Sequence, residues 1–149
     1  MRISTKGRYA IRLMLDIAQH SADGGNVSIK DVSERQGISV KYLEQIVNML
    51  SKAGYLRSRR GSQGGYRMAK EPDKYTIGDI LRVTEGDMSP VSCLEEEENQ
   101  CPRAGQCPTI DFWKGLYKTI NDYLDSTTIA DLMKKAEQKN VEADYCYYI

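Results

Sequence analysis

From Ser28 to Ala69 the chain sets two short helical stripes about a glycine turn and then runs into an arginine-rich hairpin, a succession that few folds accommodate. Ser28 followed by Asp31 has the spacing of a helix cap, and Ile29, Val32 and Ser33 mark a short helix ending at Gly37. Ser39 caps the next helix, whose apolar stripe is Leu43, Ile46, Val47 and Leu50 and which Gly54 stops. Two such helices, the second opening on small and polar residues, fit a helix-turn-helix, although an ordinary helical hairpin has the same pattern. Context separates the two. Tyr55 to Arg59 and Tyr66 to Ala69 read as short strands around Arg60-Gly61-Ser62-Gln63-Gly64-Gly65, and a helix-turn-helix followed by a basic hairpin is a winged helix.

The hairpin's glycines permit positive φ and close backbone approach, while Arg57, Arg59, Arg60 and Arg67 supply charge beside a sugar-phosphate chain. A nucleotide phosphate loop would need a following Gly-Lys-Ser/Thr and a long helix, and neither is present. A plain glycine-rich hairpin stays open as the alternative. Charge distribution favours a polyanion partner. Residues 1–70 hold 13 Lys or Arg against 5 Asp or Glu, net +8, and residues 71–149 hold 8 against 16, net −8, so a formal net charge of zero conceals a basic half.

Tyr9, Ala10, Leu13, Met14, Ile17 and Ala18 repeat at helical spacing behind caps at Ser4 or Thr5. A further helix from Thr76 to about Gly86 turns Ile77, Ile80, Leu81 and Val83 inward. The irregular stretch from Asp87 to Pro108 holds three cysteines and the acidic run Glu95 to Glu98. From about Thr109 a long helix carries Ile110, Trp113, Leu116, Ile120, Tyr123 and Leu124. A homodimer would cover this stripe; packing on the first helix of the same chain is the other option. A short helix over Asp125 to Ala136, capped at Thr127 or Thr128, precedes a tyrosine-rich tail. The expected fold is mainly α: a winged helix-turn-helix with a small β-hairpin wing (1–86), a cysteine-containing loop (87–108), and a dimerisation helix, short helix and tail (109–149).

Four strings together resemble one family: Arg2-Ile3-Ser4-Thr5-Lys6-Gly7-Arg8-Tyr9-Ala10, Tyr42-Leu43-Glu44-Gln45, Arg60-Gly61 through Gly64-Gly65-Tyr66, and Leu124-Asp125-Ser126-Thr127-Thr128. The chain is similar along nearly its whole length to the bacterial winged-helix transcriptional regulators of the IscR/CymR type, which act in iron-sulfur homeostasis and cysteine metabolism. The resemblance implies a homodimer on a two-fold DNA operator, the third helix in the major groove and the wing in the minor groove. It places DNA contacts at Ser28, Ser39, Lys41, Tyr42, Glu44 and Gln45 and, in the wing, at Arg59, Arg60, Gly61, Gly64 and Gly65. Chemically, Glu44 can accept from a cytosine amine and Gln45 can pair with adenine, whereas Lys41 and Tyr42 suit phosphate. Glu44 could also serve only helix solubility.

Cys93, Cys101 and Cys107 are separated by seven and then five residues, and in a cytoplasmic protein such a group favours metal chemistry over disulfides. Thiolates bind zinc or an iron-sulfur cluster. The resembled iron-sulfur regulators use a three-cysteine loop in this place, which implies a cluster, two-iron two-sulfur ahead of four-iron. The first interval is longer here than in IscR, and Ile110 stands where IscR-type proteins have a histidine. Asp111, Glu95 to Glu98, Asp87 or a partner-subunit group could supply the fourth ligand. Structural or redox-reactive cysteines, and zinc, remain the alternatives.

The ending Asp144-Tyr145-Cys146-Tyr147-Tyr148-Ile149 resembles that of CymR-type regulators, which act with cysteine synthase. Tyr148 and Ile149 are therefore candidates for docking into that enzyme, packing on the chain's own dimer being the alternative. The chain would then be a cluster-free repressor of cysteine metabolism. A thiol-dependent enzyme finds little support, since no histidine lies near the cysteines and no nucleophile-elbow motif occurs. An adaptor acting through the tail is a third class. No apolar run suits a membrane span or a secretory signal, and a cytoplasmic location is expected.

Overall fold

The structure, a computed structural model, describes residues 2–21, 23–96 and 98–146. The elements are α1 (Thr5–His20), α2 (Ile29–Gln36), α3 (Val40–Lys52), β1 (Leu56–Arg59), β2 (Gly65–Met68), α4 (Ile77–Glu85), α5 (Ile110–Asp125) and α6 (Ile129–Cys146). Local caps begin the helices where side-chain oxygens can satisfy free N–H groups. Ser4, Ser28 and Ser39 accept from Lys6, Asp31 and Tyr42, and Thr76 and Asp79 form a reciprocal capping box. Gly37 closes α2 at φ 64°, a left-handed conformation that side chains resist.

Leu13, Met14 and Ile17 of α1 pack with Leu43, Ile46 and Leu50 of α3, Ile80 of α4 and Ile129 of α6, all fully buried. The start of α6 is thus part of the core built by the winged half. Two backbone hydrogen bonds hold it there, from Ile129 N to Tyr75 O and from Ile77 N to Thr127 O. α5, by contrast, packs on α4 rather than on α1 and buries none of its residues, with Phe112 and Tyr123 66% and 74% exposed. α6 does not end near Ala136 as expected: it continues to Cys146, since residues 137–146 contain no glycine or proline to stop it.

Asp16 of α1 is 1% exposed and carries a charge into this interior. Arg35 donates to both of its oxygens, from Nη2 at 2.6 Å and Nε at 3.1 Å, and Gln36 Nε2 adds a bond of 2.7 Å. The paired charge fastens α2 to α1. At the other end of α1, Glu85 accepts from Ser4 Oγ (2.6 Å) and Gly7 N (2.8 Å), so the last residue of α4 satisfies the first turn of α1.

Candidate nucleic-acid interface and cysteine loop

Burial of Leu43, Ile46, Val47 and Leu50 turns the opposite face of α3 to solvent. Lys41, Glu44 and Gln45 lie there, as does Asn48, one turn beyond Glu44, a position absent from the family strings although the same spacing marks it. Tyr42 sits at the edge of this face, half-buried, with its ring edge-on to Tyr9 at 5.8 Å. Arg12 lies over the Tyr9 ring, 5.3 Å from its centroid, and donates to the backbone oxygen of Gln36. Ser39 and Ser28 begin α3 and α2, their hydroxyl oxygens accepting from Tyr42 and Asp31.

The wing is fastened to the helices rather than free. β1 and β2 pair antiparallel with Arg59 opposite Gly65, and Val27 exchanges two hydrogen bonds of 2.8 Å with Tyr66, adding a third short strand position. Gly65 is required at this crossing. Its φ is 139°, and an added Cβ would stand 2.5 Å from Val27 O. Asn26 Nδ2 donates to Gln63 O in the wing tip at 3.3 Å. The fold thereby brings Ser28, Arg59 and Gly64 onto one groove between the start of α2 and the wing, while Arg60 and Gly61 stand exposed at the tip.

The cysteines are only partly gathered. Cys93 and Cys101 line one small cavity with Glu96 and Glu98, and Cys107 lies outside it. Among the described residues no three His, Cys, Asp or Glu side chains come together as a metal site. Cys107 is 3.4 Å from Thr109 Oγ1, and this hydrogen bond, with the backbone N–H groups opening α5, holds its thiol below the usual cysteine range. Tyr148 and Ile149 lie outside the described residues.

A link unforeseen in the sequence joins the loop's exit helix to the winged half. Arg82 of α4 forks onto Asp125 at the end of α5, both bonds 2.8 Å, and also reaches Asn121 Oδ1 at 2.7 Å. The guanidinium holds the Asp125 carboxyl below the usual carboxylate range. Gly78 makes room for this contact, because a Cβ there would collide with Asp125 and Arg82. The string Leu124 to Thr128 thus includes the anchor of α5 and the entry to α6.

No helix among the described residues is long and apolar enough to cross a membrane. Residues 3–135 match the profile of the Rrf2 family, described as iron-dependent transcriptional regulators. The chain is 43% identical over 136 residues to Protein rrf2 of Nitratidesulfovibrio vulgaris, covering 91% of this chain and 89% of that protein. It is 38% identical to the HTH-type transcriptional regulator CymR of Bacillus subtilis over 149 residues, the full length of both. The solved structure of CymR, described as the global cysteine regulator of B. subtilis, superposes with a TM-score of 0.74 at 40% identity, covering 91% of this chain and 98% of that one. T. potens IscR gives 0.74 at 41% identity, covering 93% and 90%. A winged helix with an exposed polar face on α3, a fastened basic wing and relatives named as transcriptional regulators rather than enzymes together establish that this chain belongs to the Rrf2 family and is a DNA-binding transcriptional regulator.

Proposed function

We propose that the protein is a homodimeric operator-binding regulator whose DNA affinity responds to an iron-sulfur cluster held by Cys93, Cys101 and Cys107. Residues 1–86 bind DNA, 87–108 sense and 109–149 dimerise. The observation that carries this reading is the confinement of three thiols to one loop running directly into α5, with two of them on a common cavity and the third at the threshold of the helix, hydrogen-bonded to Thr109. The iron-dependent description of the family supports it. Thiolate donors fit such a cluster, which when bound would supply a redox-sensitive and oxygen-sensitive centre. The type is proposed as two-iron two-sulfur, with the fourth ligand from Asp111, Glu95 to Glu98, Asp87 or the partner subunit.

This chain's own residues carry the response. Ile110 N donates to Cys107 O and Trp113 N to Thr109 O, so the loop's last residues are the first turn of α5. Any ordering of the loop bears on that helix, and Arg82 passes its position to α4 and the winged half. A second copy would cover Phe112, Leu116 and Tyr123, which one chain leaves exposed, and would set the spacing of two α3 helices along an operator. Lys41, Tyr42, Glu44, Gln45 and the start of α3 at Ser39 would face the major groove. Ser28 and Arg59 to Gly65 would follow the backbone and the minor groove.

Anaerobic purification or reconstitution with iron and sulfide is expected to give visible absorbance with bound iron and sulfide, and Cys101→Ala to abolish all three. Loaded and cluster-free protein should differ in operator affinity by about tenfold or more, the scale of ordinary allosteric coupling. Absence of iron, sulfide and colour would overturn the cluster while leaving operator binding intact; zinc alone would do the same.

The end-to-end match with CymR of B. subtilis favours a second reading, in which Tyr148 and Ile149 dock into cysteine synthase. Removing those two residues should abolish capture of purified cysteine synthase, and unchanged capture would exclude docking by the tail.

A further inference from the structure

At the base of the wing two arginines stand directly opposite each other. The strand register pairs Arg57 with Arg67, so both project from one face of the hairpin, a relation in which like charges weaken a strand pair. Among the described residues neither guanidinium has an ion-pair partner, nor has the ammonium of Lys70. These three cations line an open cavity of about 520 Å³ formed where the hairpin meets α1 and α6, together with Ala18, Met68 and Met133. Ser21 adds a hydroxyl, and Glu71 is the one carboxylate in the lining.

Three cations against one anion give the cavity a positive balance, and guanidinium forks match the planar geometry of a carboxylate. Met133 of α6 adds apolar surface that a bare inorganic ion would not use, whereas Met68, next to Arg67 in β2, turns to the opposite face of the hairpin and packs on the core. The volume is that of a small-molecule site. Arg57 and Arg67 are also set apart from the wing tip, where Arg59 and Arg60 stand on the groove and turn that face the start of α2.

We propose that this cavity binds a small organic anion, one or two carboxylates on a short aliphatic body, with Arg57 and Arg67 as its carboxylate receptors and Met133 against its carbon chain. A ligand there would touch the wing and α6 at once, placing it between the DNA-contacting hairpin and the helix that follows α5.

Met133 is a built-in reporter. In full-length protein labelled with ¹³C at the methionine methyl groups, titration with succinate should shift the Met133 resonance saturably, while Met14 and Met88, buried in the core, stay in place. The double variant Arg57→Gln, Arg67→Gln should bind succinate about tenfold more weakly or worse, as expected for loss of charge-assisted hydrogen bonds, with the Met14 and Met88 resonances unmoved to show an intact fold. Absence of a saturable shift in the wild type, or an undiminished one in the double variant, would overturn the proposal. So would an equal response to inorganic phosphate or to a non-operator duplex, which would assign the arginines to general backbone charge.

Discussion

Arg35→Ala should cost about 3 kcal/mol in urea unfolding, the lower end of the range for breaking a buried pair. The cost comes from the group left behind. Asp16 is 1% exposed, and without Arg35 its carboxylate would keep one strong donor, Gln36, and a His20 nitrogen 3.6 Å away. Asp16→Ala should be milder, because the Arg35 side chain is already 33% exposed and can turn its charge to water. The double variant Asp16→Leu, Arg35→Met should lie closer to wild type than either single change, since a well-packed apolar pair avoids the desolvation of both charges. A loss below about 1 kcal/mol for Arg35→Ala would mean that water reaches Asp16 and that the pair is no more than a surface contact.

Operator affinity should fall about a hundredfold or more when Gln45→Ala and Arg60→Ala are combined, each contact contributing about 1–3 kcal/mol of binding. The two single variants separate their roles. Gln45 stands exposed on α3 facing away from Leu43 and Ile46, so its removal should relax preference at one base pair per half-site and leave non-operator binding nearly unchanged. Arg60 stands at the exposed wing tip, and its loss should weaken binding to all duplexes and flatten the salt dependence by about one phosphate contact per subunit. Thermal unfolding should stay near wild type for both, as neither side chain is buried. Glu44→Ala tests the remaining acid on this face: relaxed specificity marks a base contact, whereas uniformly tighter binding marks an acid kept for solubility alone. Unchanged operator affinity in the double variant would place the DNA surface elsewhere on the molecule.

The winged helix was legible because its signals are local. Caps at Ser4, Ser28, Ser39 and Thr76 act over two or three residues, the stripe of α3 repeats within one turn, and the glycines of the wing declare a tight reversal wherever the chain is placed. Those features set α1 to α4, the hairpin and the exposed face of α3 without reference to packing. The length of α6 is not legible for the same reason: no local stop follows Ala136, and no local signal marks how far the helix continues toward the tyrosine-rich end. What the residues could not announce are contacts across long separations. Asp16 with Arg35 spans 19 positions, Arg82 with Asp125 spans 43 and Ser4 with Glu85 spans 81, and in each case the chain shows only ordinary charged or polar residues until the fold brings them within 3 Å. The same holds for Arg57 and Arg67, which in the chain look like two more wing arginines and in space line a cavity with Met133 of α6. Periodicity and capping are properties of neighbours along the chain. Ion pairs and cavities depend on which surfaces a common core forces together, and here the burial of Ile80 and Ile129 in one core with Leu13 and Leu43 is what draws the acidic half onto the basic one.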